Sequence, residues 1–520
     1  MEASLQIFIA MVLYIAMVIV IGVYYAKQAS ESSHNYLIGG RSLGPWVTAM
    51  AAEASDMSGW LLMGLPGVAY WFGLSDAVWT AIGLAIGTYL NWLFVAKRLR
   101  VYTQVAGDAI TIPDFLSNRF RENKKVILTI AALFILVFFS VYAASCFVTV
   151  GKLFSALFNA KYVYMMIAGA IFVVLYTFIG GFLAESASDF MQGIVMFFAL
   201  ALVLIFGISH AGGIGAIIEN AKSIPGFFDF FGIAQPQTVD GVQQIGESGQ
   251  ALFGAAASYG WLTIISTLSW GLGYFGMPQV LLKFMAIRDF KELTTSRRIA
   301  TVWVIISLTA AVAIGIIGRV LYPTELLTQS AAERIFIVMS TNFFMPFIAG
   351  IIMAGILAAT ISSSDSYLLI AASALSKNIY QGIFKRDATD REVLIASRIT
   401  LLVIAVVAMI IALDENSVIF TVVSFAWAGF GATFGPIMLF SLFWKRVTRA
   451  GAIAGMVTGG CMVFIWKLLL KPMGGVFGIY ELLPAFILSC IAIVVVSYLS
   501  QPEAEEVQAE FELVKQKCRA

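Results

Sequence analysis

Ala52-Glu53-Ala54-Ser55-Asp56-Met57-Ser58-Gly59 places two carboxylates and two hydroxyls inside an otherwise apolar stretch. A carboxylate near a bilayer centre costs roughly 2.5–3.5 kcal/mol on insertion scales, so its presence there marks an ion or substrate path. The neighbours are small, and Gly59 follows. A helix that loosens at this point frees carbonyls and amides to bind ions, which lipid tolerates only where they line a protein-walled cavity. The stretch therefore reads as the core of a transporter.

The rest of the chain agrees. Its 520 residues are 60% hydrophobic and 12% charged, against about 25% charged in soluble domains, and its mean hydropathy is +0.91. Apolar runs of about 18 residues or more recur along most of its length, each able to cross a bilayer as a helix. The expected fold class is an all-α polytopic membrane protein with about thirteen transmembrane helices. A net charge of +2 argues against a nucleic-acid partner. Cys146, Cys461, Cys490 and Cys518 show no CxxC spacing, and His34 and His210 are the two histidines; neither a zinc site nor a histidine proton relay is expected. No phosphate-loop motif and no nucleophile with its base is recognisable, so neither a nucleotide-driven pump nor an enzyme is expected. The first run, Leu5 to Tyr25, lacks a basic leader and reads as a retained helix.

The spans divide the chain into 1–42, a first peripheral helix and loop; 43–209, spans two to six; 210–251, an acidic loop; 252–443, spans seven to eleven; 444–500, two further spans; and 501–520, a charged tail read as solvated. Spans five and six are expected at 161–184 and 187–209, and span seven at 252–281. Lys97, Arg98, Arg100, Arg119, Arg121, Lys124 and Lys125 crowd one connection, and Lys283, Arg288, Lys291, Arg297 and Arg298 another. Positive loops stay cytoplasmic, so the N-terminus is expected outside and the tail inside a bacterial plasma membrane.

Two spans carry interruptions: the second at Ser55–Gly59 and Gly64-Leu65-Pro66-Gly67, the seventh at Gly271-Leu272-Gly273-Tyr274-Phe275-Gly276-Met277-Pro278. They lie five spans apart, an odd number, so a unit starting at the seventh span is inverted relative to one starting at the second, as in transporters built on inverted repeats. Packing and kinking alone are the competing reading. In the ninth span Ala359, Ser362 and Ser363 fall at i, i+3 and i+4 on one helical face. With carbonyls from around Ala54 and Met57 they make about five neutral oxygens, a hard set for a small alkali cation, and sodium fits. Asp56 offsets the ion's charge directly or through a hydrogen bond. Ser58 and Gly59 open the helix beyond the break, where free amides favour a substrate carboxylate, hence an amino or organic acid. Tyr142, Trp270 and Tyr274 offer flat walls for a small ring, although packing is the commoner role of any one aromatic residue.

Longer motifs add to this: Gly39-Gly40-Arg41-Ser42-Leu43-Gly44-Pro45, Ser55 through Gly67, Trp270 through Gly276, and Trp427-Ala428-Gly429-Phe430-Gly431-Ala432. With these the chain resembles the bacterial sodium/proline symporters of the sodium/solute symporter family, from about the first span to the last. The resemblance implies a leucine-transporter-type core of two inverted five-helix repeats, no cofactor, Na+ as coupling ion and L-proline or a similar zwitterion as cargo. It implies sodium ligation by the carbonyls of Ala54, Met57 and Ala359 and the hydroxyls of Ser362 and Ser363, with Asp56 required nearby. For the substrate it points to Tyr142, Trp270, Tyr274 and Pro278 with Ser58 and Gly59, and for coupling or gating charges on the cytoplasmic side to Arg41 and Asp189. Ser363 stands where some relatives have threonine. Glu53 departs from the pattern, in a place where glycine or another small residue is expected; a substrate ammonium, a proton, a second cation or a structural partner are its open readings. The alternative function is sodium- or proton-coupled symport of another small amino acid or carboxylate.

Overall fold

The computed structural model describes residues 2–29 and 37–519, so His34 lies outside the described residues. Ten helices among these are long and apolar enough to cross a membrane. The chain runs through α1 (Ala3–Ala29), α2 (Pro45–Asp56), α3 (Leu65–Phe72), α4 (Leu74–Leu90), α5 (Val126–Phe158) and α6 (Tyr162–His210). It continues through α7 (Trp261–Leu268), α8 (Pro278–Ala286), α9 (Leu293–Leu321), α10 (Pro346–Ser373), α11 (Asp390–Ile411), α12 (Ile419–Phe443), α13 (Arg449–Ile465), α14 (Leu482–Leu499) and α15 (Glu505–Lys517).

Apolar pattern accounts for the long helices, and small residues account for how closely they approach. α10 is the hub: buried from Ile352 onward to Ser373, it packs against α1, α5 and α6. α4 meets the segment after α7 through Gly83 and Gly87, where a Cβ on Gly87 would run into the backbone of Gly271. Backbone-to-backbone approach of this kind is what small residues permit in membrane helices.

Four elements differ from the sequence expectation, each for a physical reason. Spans five and six are two helices, Tyr162–Phe178 and Gly181–His210, run together here as α6, and they part at Gly181 rather than at 184–187, because its φ of 63° and ψ of −173° are non-helical. Span seven begins at Trp261 rather than 252, because the apolar residues before it pair as short strands: β1 (Gly232–Ile233) with β4 (Ala257–Ser258), beside β2 (Thr238–Val239) with β3 (Val242–Gln243). Among the described residues these two ribbons are the two-stranded sheets, and the membrane-spanning segments are helical. The tail is not simply solvated: it forms α15, whose Val507, Phe511 and Val514 are buried on one face. Arg98 and Arg119 lie over the Phe511 ring at 5.7 and 5.5 Å, and Arg121 pairs with Glu506. Lys283, read as a loop charge, is instead a buried residue of α8.

Candidate functional site

Both interrupted segments break where the sequence places small and polar residues. α2 ends at Asp56; Met57 leaves helical geometry with φ −84° and ψ 72°, and a wide turn over Trp60–Gly64 leads into α3. In the second segment α7 passes into a tight turn over Ser269–Gly276, Met277 is extended with φ −76° and ψ 108°, and Pro278 starts α8. Proline suits a helix start because its missing N–H has no intrahelical partner to lose. Each break frees backbone groups at depth, and the two breaks face one another.

Asp56 joins them. Its Oδ2 accepts a hydrogen bond from the Tyr274 hydroxyl at 2.8 Å and its Oδ1 one from Gln279 Nε2 at 3.4 Å, so one carboxylate at the first break holds a residue on either side of the second. Tyr274 is held from behind as well: Asn91, which follows α4, donates to its carbonyl at 3.0 Å.

Beside this joint, α10 presents its hydroxyls to α2. The Ser362 hydroxyl donates to the Ala54 carbonyl at 2.8 Å and lies 3.2 Å from the Ala359 carbonyl, while Ser363 reaches the Ala54 carbonyl at 3.4 Å. Ala54, Ala359, Ser362 and Ser363 therefore converge in one fully buried place. Met57 stands at the break, fully buried. One turn beyond Ser363, Tyr367 stacks on Tyr142 of α5 with ring centres 4.3 Å apart, which sets Tyr142 next to the serine pair.

Trp270 sits in an aromatic layer. Its ring lies 6.2 Å from Trp60, 5.2 Å from Phe420, 6.0 Å from Trp427 and 5.1 Å from Tyr480, and Trp427 Nε1 donates to its carbonyl at 2.8 Å. Ser58 is buried with no hydrogen-bond partner for its hydroxyl. A Cβ on Gly59 would collide with Thr149 of α5, so glycine is what lets the break lie against α5. Pro278 lies beside Gln279 at the head of α8.

The three charges do not share one site. Glu53, one turn before Asp56, accepts a hydrogen bond from Trp92 Nε1 at 3.1 Å. Arg41 lies at the end of the fold carrying the basic loops, donating to Met285 O at 2.6 Å, Ala109 O at 2.8 Å and Asp108 Oδ1 at 3.0 Å. Burial pulls its guanidinium below the ordinary range, and the Asp108 carboxylate partly restores it. Asp189 is fully buried in α6, where Lys283 Nζ lies 3.3 Å from it and 2.7 Å from Glu185. Arg41 and Asp189 thus act on the same element, α8, from different sides.

The two ends are sealed differently. At the basic end the chain entering α2 is zipped to the chain leaving α8, Leu43 N donating to Ala286 O at 3.2 Å and Arg288 N to Leu43 O at 3.0 Å. At the other end the buried Glu333 pairs with Lys152 at 2.7 Å and accepts from the first amides of α12, Ile419 N at 2.9 Å and Phe420 N at 3.0 Å.

The Sodium:solute symporter family profile matches residues 36–459. The chain belongs to the sodium:solute symporter family. A sodium/proline symporter of Staphylococcus aureus (strain USA300 / TCH1516) is 41% identical over 520 residues, covering 99% of this chain and 96% of that one. Among solved structures, a Na+-coupled sialic acid symporter in a substrate-bound outward-open state aligns with a TM-score of 0.75 at 18% identity, over 96% of this chain and 99% of that one. A nucleobase-cation-symport-1 family transporter in a closed conformation aligns at 0.52 and 12% identity, over 92% of this chain and 98% of that one. These two likenesses are of fold. The family match and the ten apolar helices make the chain a multi-pass membrane protein of a symporter family.

Sequence reasoning missed Gln279, Trp92, Tyr367 and Lys283 as parts of this region. Trp427 and Trp60 were within quoted motifs but carried no role there. Lys283 had a signal, since it follows span seven by only a few residues, whereas a neutral glutamine after a proline carries none.

Proposed function

We propose that the chain is a sodium-coupled symporter that carries L-proline into the cell by alternating access. One observation supports it above the others: the Ser362 hydroxyl lies 2.8 Å from the Ala54 carbonyl at an interrupted helix, in a chain 41% identical along its length to a sodium/proline symporter. In this reading thirteen passes comprise the ten long helices, the two broken segments α2–α3 and α7–α8, and the first part of α6, Tyr162–Phe178. Spans two to six and seven to eleven form the inverted repeats. The basic loops lie in the cytoplasm, the N-terminus outside and α15 inside a bacterial plasma membrane.

Sodium is held by the carbonyls of Ala54, Met57 and Ala359 and the hydroxyls of Ser362 and Ser363. Ser362 and Ser363 turn their O–H groups away from Ala54 as the ion arrives, and Asp56 offsets its charge while keeping Tyr274 and Gln279 in place. Ordering the first break this way readies Ser58 and Gly59 for the proline carboxylate, with Tyr142, Trp270, Tyr274 and Pro278 around the ring. Each ligand then raises affinity for the other. Arg41 and the Leu43–Ala286 zip hold the inner end shut until α8 moves, and the Lys152–Glu333 pair does so at the outer end. One sodium entering down about 100 mV gains about 2.3 kcal/mol, and a tenfold concentration gradient adds about 1.4 kcal/mol. Together these sustain several-hundredfold accumulation of a zwitterion with no net charge.

Purified protein in liposomes, given labelled proline with a sodium, lithium or potassium gradient, tests the reading. Saturable uptake requiring sodium, and displaced by unlabelled proline more than by other amino acids or carboxylates, is expected; stronger displacement by another solute replaces proline as the cargo. Ser362→Ala removes one ion ligand and is expected to raise the sodium concentration for half-maximal uptake about tenfold, from roughly 1–1.5 kcal/mol of lost coordination. Trp270→Ala is expected to raise the proline KM at least fivefold with little change in kcat, since the ring acts on binding; an unaltered KM removes Trp270 from the substrate site.

A further inference from the structure

The rings around Trp270 divide by exposure. Trp60 and Trp427 are buried with it, whereas Phe420 and Tyr480 are only half-buried. These two lie toward the end of the fold opposite the basic loops, where Glu333 caps α12. Phe420 belongs to α12, inside the proposed repeats. Tyr480 does not: it closes the connection 466–481 between α13 and α14, two helices outside them.

That connection is built to present one side chain. Glu481, whose side chain is wholly buried, is held by Lys471 at 2.9 Å and Lys467 at 3.6 Å, and Trp466 Nε1 donates to the Phe477 carbonyl at 3.1 Å. Gly474 and Gly475, with φ of 72° and 58°, make the reversal between these fixed points. A buried carboxylate that lost its cations would be costly, so the lysines fix the residue beside Glu481. Tyr480 then reaches three places at once. Its amide donates to the Ser266 hydroxyl of α7 at 2.7 Å, and its hydroxyl donates to the Ser424 carbonyl of α12 at 2.7 Å. Its ring stacks on Trp270 with planes 21° apart and centres at 5.1 Å. Trp427 meanwhile holds the Trp270 carbonyl and meets the Tyr274 ring edge-on at 5.0 Å. Trp270 is thus set by one residue of the core and one supplied from outside it. A ring that only filled space would not need both of its polar groups spent on two different helices.

We propose that Tyr480 is a further residue of the substrate site, a positioning residue that sets the Trp270 ring against the transported solute and closes the site on the side away from the basic loops. When the site opens toward that side, the ring leaves Trp270 and the hydroxyl leaves Ser424, while the Glu481 anchor keeps the connection in register for its return. This deepens the symport reading above and rests on it for the solute, but not for the closure.

Two measurements test it. Thiol labelling of purified Ser424→Cys protein reads the closure, because Ser424 is 8% exposed and contributes only its backbone carbonyl to the Tyr480 bond; the rate is counted above that of the four native cysteines. Without proline, adding Tyr480→Ala is expected to speed labelling about tenfold, equivalent to about 1.4 kcal/mol. Tyr480→Phe keeps the ring and loses only the bond to Ser424, so about threefold is expected. A rate unchanged by Tyr480→Ala overturns the closure; should that variant not reach the membrane, Tyr480→Phe decides, and a wild-type rate overturns it. Uptake reads the positioning. Tyr480→Ala is expected to raise the proline KM about fivefold with little change in kcat, and Tyr480→Phe to recover most of that loss by keeping the stack. A lowered thermal unfolding midpoint with an unaltered KM makes Tyr480 a packing residue and overturns the positioning. If both substitutions speed labelling while the wild-type chain takes up no proline, the substrate reading fails and the closure stands.

Discussion

Asp56→Ala is expected to raise the sodium concentration for half-maximal proline uptake by thirtyfold to a hundredfold, while the amount of protein in the membrane falls much less. The carboxylate has two tasks. In the proposed reading it offsets the charge of the ion held by Ala54, Ala359, Ser362 and Ser363, and it holds Tyr274 at 2.8 Å and Gln279 at 3.4 Å on either side of the second break. Losing hydrogen bonds to a charged group costs about 1.5–3 kcal/mol each, and a loss of about 2–3 kcal/mol in ion binding gives that range at 1.4 kcal/mol per tenfold change. Abundance is spared in part because the substitution also removes a buried negative charge, whose desolvation opposes folding. Asp56→Asn separates the two tasks: the amide keeps an acceptor for Tyr274 but not the charge. Sodium dependence measured from uptake against external sodium is expected to shift nearly as far in Asp56→Asn as in Asp56→Ala. An Asp56→Asn protein with the wild-type sodium curve would assign the residue to joining the helices alone.

What the sequence made legible follows from how strongly each feature constrains the backbone. The breaks at Met57 and Met277 were readable because Ser58, Gly59, Gly276 and Pro278 are poor continuations of a helix, and lipid allows such residues only where function needs them. The serine face of α10 was readable from spacing alone, since i, i+3 and i+4 share a face in any helix. Its meeting with Ala54 was not, because that distance depends on how α2 and α10 pack. The break in α6 fell at Gly181, inside an apolar run, where hydropathy carries no mark of it. Leu252 and Phe253 looked like the start of a span but serve a strand ribbon, since a short apolar run does not reveal its own secondary structure. In α15 the period was present in Val507, Phe511 and Val514, yet the surrounding glutamates and lysines concealed that one face docks. Lys283 was misplaced because positive residues near span ends are usually loop residues; a buried counter-charge can be recognised only when Glu185 and Asp189 are found beside it.

That lysine carries the second large effect. Lys283→Met is expected to lower the thermal unfolding midpoint sharply and to reduce membrane abundance several-fold. Its ammonium is 1% exposed and binds Glu185 at 2.7 Å, Asp189 at 3.3 Å and the Ser186 hydroxyl at 2.9 Å, with the Phe182 ring 4.6 Å beneath it. Methionine fills the stem's volume but leaves two carboxylates without their cation, and Asp365 Oδ2 is already buried without a partner. Breaking a buried pair in this way costs about 3–5 kcal/mol, a large share of the roughly 5–15 kcal/mol that holds a typical domain together. The companion substitution distinguishes charge from packing. Lys283→Met with Glu185→Gln removes one of the stranded carboxylates, so the double variant is expected to be more stable than Lys283→Met alone, a non-additivity of about 1–3 kcal/mol for groups in direct contact. Additive losses would mean that the lysine stem, not its charge, anchors α8. The distinction bears on transport, because α8 is held by Lys283 and, two residues on, by Arg41 on the Met285 carbonyl. An element pinned twice at the basic end moves only when both contacts yield, and with that end in the cytoplasm, as proposed, weakening the buried one is expected to favour the inward-open form, read as faster labelling of a cysteine placed at Ala286 from the cytoplasmic side.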